Sequence, residues 1–331
     1  MKAVYLSDYP AELEKVWGPL QKKRLQSLVE ISDTAISARE MESHAPLLRE
    51  VEVAFSTWGM PPLTDAQLDL MPKLRAVFYA AGTTRYFAAP FLNRGILIVS
   101  AAAANAVPVA EFTLSQILFA LKLGWTHVRT IKDAAAPQSW KRLDMPGVYE
   151  SNVGIISLGL IGQKVCELLR PFSVKKLAFD PFVSKELCQQ LDVESVSLEA
   201  LFQQSDVVTL HAPSLKQTEG LVTGALLSSM KPNATFINTA RGTIVLESEM
   251  VEVLKARPDI TAVLDVTNPE PPPAGSPLYT LPNVILTPHI AGSMGKEVRR
   301  MSDMMIDEFI RWTEGKSSSY AVTFETLERT A

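Results

Sequence analysis

The chain has 331 residues, 47% of them apolar and 21% charged, a globular composition that excludes disordered and fibrous classes. At roughly 150 residues per domain this length predicts two domains, with enough chain to bury a core without disulfides or metals. Lys and Arg number 32 against 36 Asp and Glu, for a net charge of −4. No basic run offsets that balance, so neither nucleic acid nor an anionic membrane is an expected partner.

Short β-branched runs alternate with helical segments from the start, the pattern of a parallel α/β architecture. Strands are predicted over residues 2–6, 51–56, 74–80 and 96–101, with a helix near residues 12–29. Thr64-Asp65-Ala66-Gln67 reads as a capping box opening another helix, because the Thr hydroxyl and the Gln amide can satisfy otherwise free backbone amides. The first residues turn polar too early for a secretory signal. Residues 95–112 are apolar but Ala-rich and interrupted by Ser100, Asn105 and Pro108, a poor membrane span. The expected location is cytoplasmic.

A long helix is predicted over residues 107–133, with Pro108 in its first turn, where no amide bond is lost. Residues 134–139 and 145–147 read as surface connection. Six further strands follow, at residues 152–158, 175–180, 206–212, 234–240, 261–266 and 283–288, mostly separated by helices, which makes a complete doubly wound sheet. The last helix, residues 294–313, starts after Ser293 as its N-cap and is expected to cross back onto the first unit. The domains are then 1–101 plus 294–331, discontinuous, and 102–293. Met301, Met304 and Met305 recur at helical spacing and read as packing, and Cys166 reads as core. Cys166 and Cys188, the only cysteines, support neither a disulfide framework nor a zinc cluster, and His44 and His127 have no metal-ligand spacing, so no metal is expected.

Val153-Gly154-Ile155-Ile156-Ser157-Leu158-Gly159-Leu160-Ile161-Gly162 runs strand, turn, helix. Gly159 lets backbone approach a pyrophosphate, and Gly162 lets the helix pack close on its strand. The amides of Leu160 and Ile161 at the helix start favour anions. The first glycine of G-x-G-x-x-G is Ser157. The next strand ends in Asp180, about 20 residues on, where a carboxylate can accept ribose hydroxyls and repels a 2′-phosphate. That favours NAD over NADP.

Three more segments end predicted strands: Asn238-Thr239-Ala240-Arg241-Gly242, Asp265-Val266-Thr267-Asn268-Pro269-Glu270-Pro271 and Thr287-Pro288-His289-Ile290-Ala291-Gly292. In an open α/β sheet such ends converge on the ligand crevice. A guanidinium can clamp the carboxylate of a 2-oxo acid and lean on its carbonyl oxygen. Histidine can deliver the proton that oxygen needs as hydride adds to carbon, and a carboxylate beside it stabilises the imidazolium and orients the ring. Arg241 is thus the expected clamp, His289 the acid/base and Glu270 its support.

Together these segments resemble the D-isomer specific 2-hydroxyacid dehydrogenases over most of the chain, most clearly from Leu74 to about Arg311. The resemblance implies two doubly wound parallel-sheet domains, a Rossmann NAD-binding domain and a smaller flavodoxin-like substrate domain. It implies a catalytic triad of Arg241, Glu270 and His289, with Asp265 facing the nicotinamide carboxamide. His211, Pro213, Thr218, Thr239, Ala240 and Gly292 would line the cofactor site. Gly82 and Thr83 would offer amides to the substrate carboxylate, and the family is commonly dimeric through its dinucleotide domain. Trp58, read by itself, is a candidate wall of the substrate pocket and equally a packing residue. Two further departures stand out: the usual G-x-G-x-D is Ala80-Ala81-Gly82-Thr83-Thr84, and the substrate-side loop Thr57-Trp58-Gly59-Met60-Pro61-Pro62 is apolar rather than basic.

The expected function is NAD-dependent interconversion of a small 2-oxo acid and its D-2-hydroxy acid, of the glyoxylate or hydroxypyruvate type. Phosphoglycerate oxidation is the first alternative, but a phosphate calls for added cations and Arg85 alone supplies one in the substrate loop. Formate oxidation fits less well, since similar formate enzymes carry an amide where this chain has Glu270. A non-catalytic NAD(H)-binding sensor or corepressor is the alternative from another class.

Overall fold

The computed structural model describes residues 1–131 and 142–329. The connection expected at residues 134–139, and the last two residues of the helix predicted over 107–133, lie outside the described residues. The chain forms two compact units, one of residues 1–105 with 293–331 and the other of residues 106–292.

In the first unit β1 (Lys2–Leu6), β2 (Glu30–Ile36), β3 (Val51–Ser56), β4 (Ala76–Tyr79) and β5 (Leu97–Ser100) form one parallel sheet in the order β2-β1-β3-β4-β5. That is the flavodoxin-like order. Its central strands are apolar runs because both faces are covered. Tyr5, Phe55, Phe78 and Val99 face one core, and the alternate residues Leu6, Ala54, Val77 and Ile98 face the other. The C-terminal helix Val298–Thr313 seals the first core with Met301, Met305, Ile306 and Phe309. The Phe309 ring meets Phe55 and Phe78 edge-on at 5.4 and 5.6 Å, each pair adding about 0.5–1.5 kcal/mol beyond area burial.

Three features of this unit depart from the sequence reading. Strand β2 was not anticipated, because Glu30-Ile31-Ser32-Asp33-Thr34 is a mostly exposed edge without an apolar face. The single helix near 12–29 is two, Pro10–Val16 and Pro19–Gln26, since Pro19 disfavours helical backbone at Gly18 and lacks an amide. Ser293 does not cap the last helix: its Oγ has no partner among the described residues, and the Glu297 carboxylate accepts the Met294 amide instead, at 2.9 Å. The capping box is present, with Gln67 N–H donating to Thr64 Oγ1 (3.3 Å) and Thr64 N–H to Gln67 Oε1 (2.9 Å).

In the second unit β6 (Asn152–Ile156), β7 (Lys175–Phe179), β8 (Glu194–Ser195), β9 (Val207–Leu210), β10 (Thr235–Asn238), β11 (Thr261–Leu264) and β12 (Val284–Leu286) form a parallel sheet in the order β12-β11-β10-β9-β6-β7-β8. This is the Rossmann order with one strand added. The strand missing from the six anticipated is β8, two exposed residues at the edge with no periodic signal. Strand order reverses between β6 and β9, and at their carboxyl ends His211 N–H donates to the Ile156 carbonyl at 2.9 Å.

The helix predicted over 107–133 begins earlier, at Ala102, and breaks: Ala102–Ala120 and Gly124–Thr130 meet at 61°. Leu123 takes left-handed backbone (φ 48°), and a Cβ on Gly124 would lie 2.5 Å from the Phe119 ring, so glycine permits the bend. Pro108 therefore sits inside the first helix, not in its first turn. Among the described residues no single helix is long and apolar enough to cross a membrane; this bent pair passes only jointly, on length and composition.

Candidate active site

Arg241, Glu270 and His289 follow β10, β11 and β12, adjacent strands of the second sheet, so their loops leave the same edge side by side. His289 Nδ1 lies 2.7 Å from Glu270 Oε1, with the two side chains 43% and 42% exposed. Arg241 is within electrostatic reach of Glu270. Burial lowers the guanidinium from its ordinary value, and the Glu270 charge opposes that shift. The arginine also donates to its neighbour's carbonyl, Ala240 O, at 2.6 Å.

The loops meet because backbone packs on backbone. A Cβ on Gly242 would lie 2.1 Å from the carbonyl carbon and oxygen of Thr267, so only glycine allows the Arg241 turn to touch the loop that carries Glu270. That loop is braced by Thr267 Oγ1 donating to the Pro269 carbonyl (2.8 Å) and Asn268 N–H donating to Glu247 Oε2 (2.8 Å). Burial raises the Glu247 carboxyl above its ordinary value, and the Asn268 amide partly opposes this. Glu247 went unnoticed in the sequence, where it opens the helix Glu247–Ala256; a contact 21 residues away leaves no local signal.

Asp265 is turned inward. Its Oδ1 accepts from Thr287 Oγ1 (2.5 Å) and the Ile290 amide (2.9 Å), and its Oδ2 accepts from the Ala291 amide (2.8 Å). Its carbonyl takes the His289 amide at 3.0 Å. These bonds hold His289 at φ 55°, a left-handed conformation unfavourable for a side chain with a Cβ. In this structure the carboxylate thus shapes the histidine loop.

The phosphate turn is built in the same way. A Cβ on Gly162 would lie 2.0 Å from the Ser157 carbonyl oxygen, so this glycine is required by the fold. Gly159 is exposed, and the nearest atom to a Cβ there would be Ser157 Oγ at 4.0 Å, so its glycine answers no internal need and leaves open space at the helix start. The helix Leu160–Leu168 has no side-chain cap, which leaves first-turn amides for an anion. Ser157 stands at φ 74°, where glycine is usual, and its hydroxyl donates to Asp180 Oδ2 at 3.3 Å. The same oxygen accepts from Leu158 N–H (2.8 Å), and Oδ1 from Phe182 N–H (2.9 Å). Asp180 therefore ties the turn to the following strand end.

His211 is buried, with Nε2 3.0 Å from Thr209 Oγ1 and Nδ1 without a partner among the described residues. Burial pushes the imidazole down to about 3, so the ring is neutral. An orphaned ring nitrogen at the switch point, an uncapped helix start and the empty space at Gly159 all fit a dinucleotide. Thr239 and Ala240 are buried at the end of β10, and Thr239 Oγ1 lies 3.4 Å from Thr113 Oγ1. Thr218 is committed to its own turn, donating to the Pro213 carbonyl (2.5 Å) and accepting from Leu215 N–H (2.9 Å). Gly292 is the last residue of this unit.

In the first unit Trp58 packs, half-buried, against both faces of the sheet. Gly82 and Thr83 are also half-buried, just beyond the end of β4.

Residues 119–291, just over half of the chain, match the profile of the D-isomer specific 2-hydroxyacid dehydrogenase, NAD binding domain. NAD is thus the cofactor for which the second unit is built. A D-3-phosphoglycerate dehydrogenase of Archaeoglobus fulgidus is 33% identical over 71% of this chain and 44% of its own length. A glyoxylate reductase of Korarchaeum cryptofilum is 29% identical over 81% of each chain. The chain spans about half the length of the phosphoglycerate dehydrogenases it matches. The solved phosphoglycerate oxidoreductase of Rhizobium etli superposes with a TM-score of 0.83 over 98% of this chain and 99% of its own, at 21% identity, a likeness of fold. With this profile match over the unit that holds the Arg241, Glu270 and His289 loops, the chain belongs to the D-isomer specific 2-hydroxyacid dehydrogenase family.

Proposed function

We propose that this chain is an NAD-dependent dehydrogenase that interconverts a small, unphosphorylated 2-oxo acid and its D-2-hydroxy acid, of the glyoxylate or hydroxypyruvate type. The 2.7 Å contact between His289 Nδ1 and Glu270 Oε1, beside Arg241, carries this reading. Bound NADH supplies the hydride. Because Nδ1 is engaged by the carboxylate, Nε2 of His289 is the nitrogen that gives its proton to the substrate oxygen, and Glu270 stabilises the imidazolium before transfer. Arg241 clamps the substrate carboxylate and polarises the carbonyl. Within the first unit, the amides of Gly82 and Thr83 and the Trp58 ring are assigned to substrate binding. Leu160, Ile161 and Asp180 hold the pyrophosphate and ribose, and the Asp180 carboxylate favours NAD over NADP. The enzyme acts in the cytoplasm as a homodimer joined through its dinucleotide domain, a role suited to the exposed apolar side chains of Phe119, Val128 and Ile131.

Loss of NADH absorbance with a panel of 2-oxo acids tests this directly. Turnover of glyoxylate or hydroxypyruvate supports it. The names of the phosphoglycerate dehydrogenase relatives favour a second reading, in which 3-phosphohydroxypyruvate is reduced instead. Tight NADH binding with no turnover of any acid would point to a sensor.

A further inference from the structure

We propose that Ser100 is a positioning residue that aims the backbone amides receiving the substrate carboxylate. The inference rests on the reading of Gly82 and Thr83 given above. Ser100 ends β5, is 7% exposed, and is pinned by its own amide, which donates to the Tyr320 carbonyl at 3.2 Å. Its Oγ accepts from Ala102 N–H (3.2 Å) and sits 2.8 Å from the Gly82 carbonyl oxygen and 3.0 Å from that of Ala81.

One hydroxyl hydrogen serves both carbonyls, but they do not depend on it equally. The Ala81 carbonyl has a second donor, Ala101 N–H at 3.1 Å, whereas the Gly82 carbonyl accepts from Ser100 alone among the described residues. Both peptides are trans, so each N–H points opposite to its C=O. Drawing the Ala81 and Gly82 carbonyls towards Ser100 turns the Gly82 and Thr83 amides away from it. Neither amide donates to a protein acceptor among the described residues. Two such consecutive donors make a backbone site for an anion. Removing the hydroxyl leaves the Gly82–Thr83 peptide without its anchor, and glycine offers no Cβ to resist rotation. The Thr83 amide then loses its aim, while the Gly82 amide keeps it through Ala101.

The test is calorimetric titration of oxamate, an inert pyruvate isostere, into the NADH-saturated full chain, with NADH affinity measured alongside. Ser100→Ala and Ser100→Cys should each weaken oxamate by about tenfold, the loss of one bond to a charged group. Ser100→Thr should restore it, and NADH affinity should stay level throughout. Ser100→Ala and Ser100→Cys should raise KM for the 2-oxo acid more than they lower kcat. Equal oxamate affinity in wild type and Ser100→Ala, no oxamate binding by wild type, or a parallel loss of NADH affinity would each overturn the assignment. Oxamate binding that depends on Ser100, in a protein that reduces none of the 2-oxo acids, would instead sink the dehydrogenase reading and leave the assignment standing.

Discussion

His289 Nδ1 and Glu270 Oε1 stand 2.7 Å apart although 19 residues separate them in the chain. Each residue lies in the loop after its own strand, and β11 and β12 are neighbours in the sheet, so parallel pairing alone delivers both loops to one edge. Asp265 then closes the gap by bonding the Thr287 hydroxyl and the Ile290 and Ala291 amides.

If Nε2 of His289 is the proton donor, His289→Gln should lower kcat by on the order of 10²–10⁴ with NADH binding retained. Glu270→Gln keeps a polar partner but removes the charge, and should cost less. Reduction needs the imidazolium and oxidation the neutral ring, so the reductive rate should fall and the oxidative rate rise as pH increases. Initial rates in both directions across pH check the sign; parallel profiles would exclude this role.

Gly242→Ala should couple stability to activity, because the added methyl collides with the Thr267 carbonyl. Overpacking of this kind costs about 1–3 kcal/mol, readable as a lower urea midpoint. Activity should fall further than stability does, since the displaced loop carries Glu270. A variant as stable and active as wild type would show that the two loops move freely.

The two glycines of the phosphate turn should behave differently. Gly162→Ala forces a methyl onto the Ser157 carbonyl and should lower the thermal midpoint. Beyond its chain neighbours, the methyl of Gly159→Ala meets nothing closer than Ser157 Oγ at 4.0 Å, so it should leave stability nearly unchanged while weakening NADH binding, measured by fluorescence titration. Unchanged NADH affinity in Gly159→Ala would remove this turn as the pyrophosphate cradle.

His211 makes a pH prediction for stability. Burial pushes its folded-state value down to about 3 from the ordinary 6.5, so between these limits the unfolded chain binds a proton that the native state refuses. Native stability should therefore decline as pH falls through that window, by up to ~1.4 kcal/mol per pH unit from this group. His211→Asn should show a shallower decline in denaturant unfolding between pH 6.5 and 4. Equal slopes would mean that the ring gains its proton inside the fold.

The strand, turn and helix around Gly159, the Thr64–Gln67 box and the three segments bearing Arg241, Glu270 and His289 were all legible as text. Each depends on the residue types of near neighbours, on hydrophobic periodicity, turn chemistry and capping, which act over a few positions. The edge strands β2 and β8 were not, since polar, exposed residues there carry no periodic signature and gain their order from the strand beside them. Nor could the chain's letters disclose that Asp265 folds inward onto the histidine loop, that Asp180 anchors Ser157, or that Ser100 grips the Gly82 carbonyl. Those bonds join segments some 20 residues apart, and which atoms meet across such a span is set by sheet register and backbone packing.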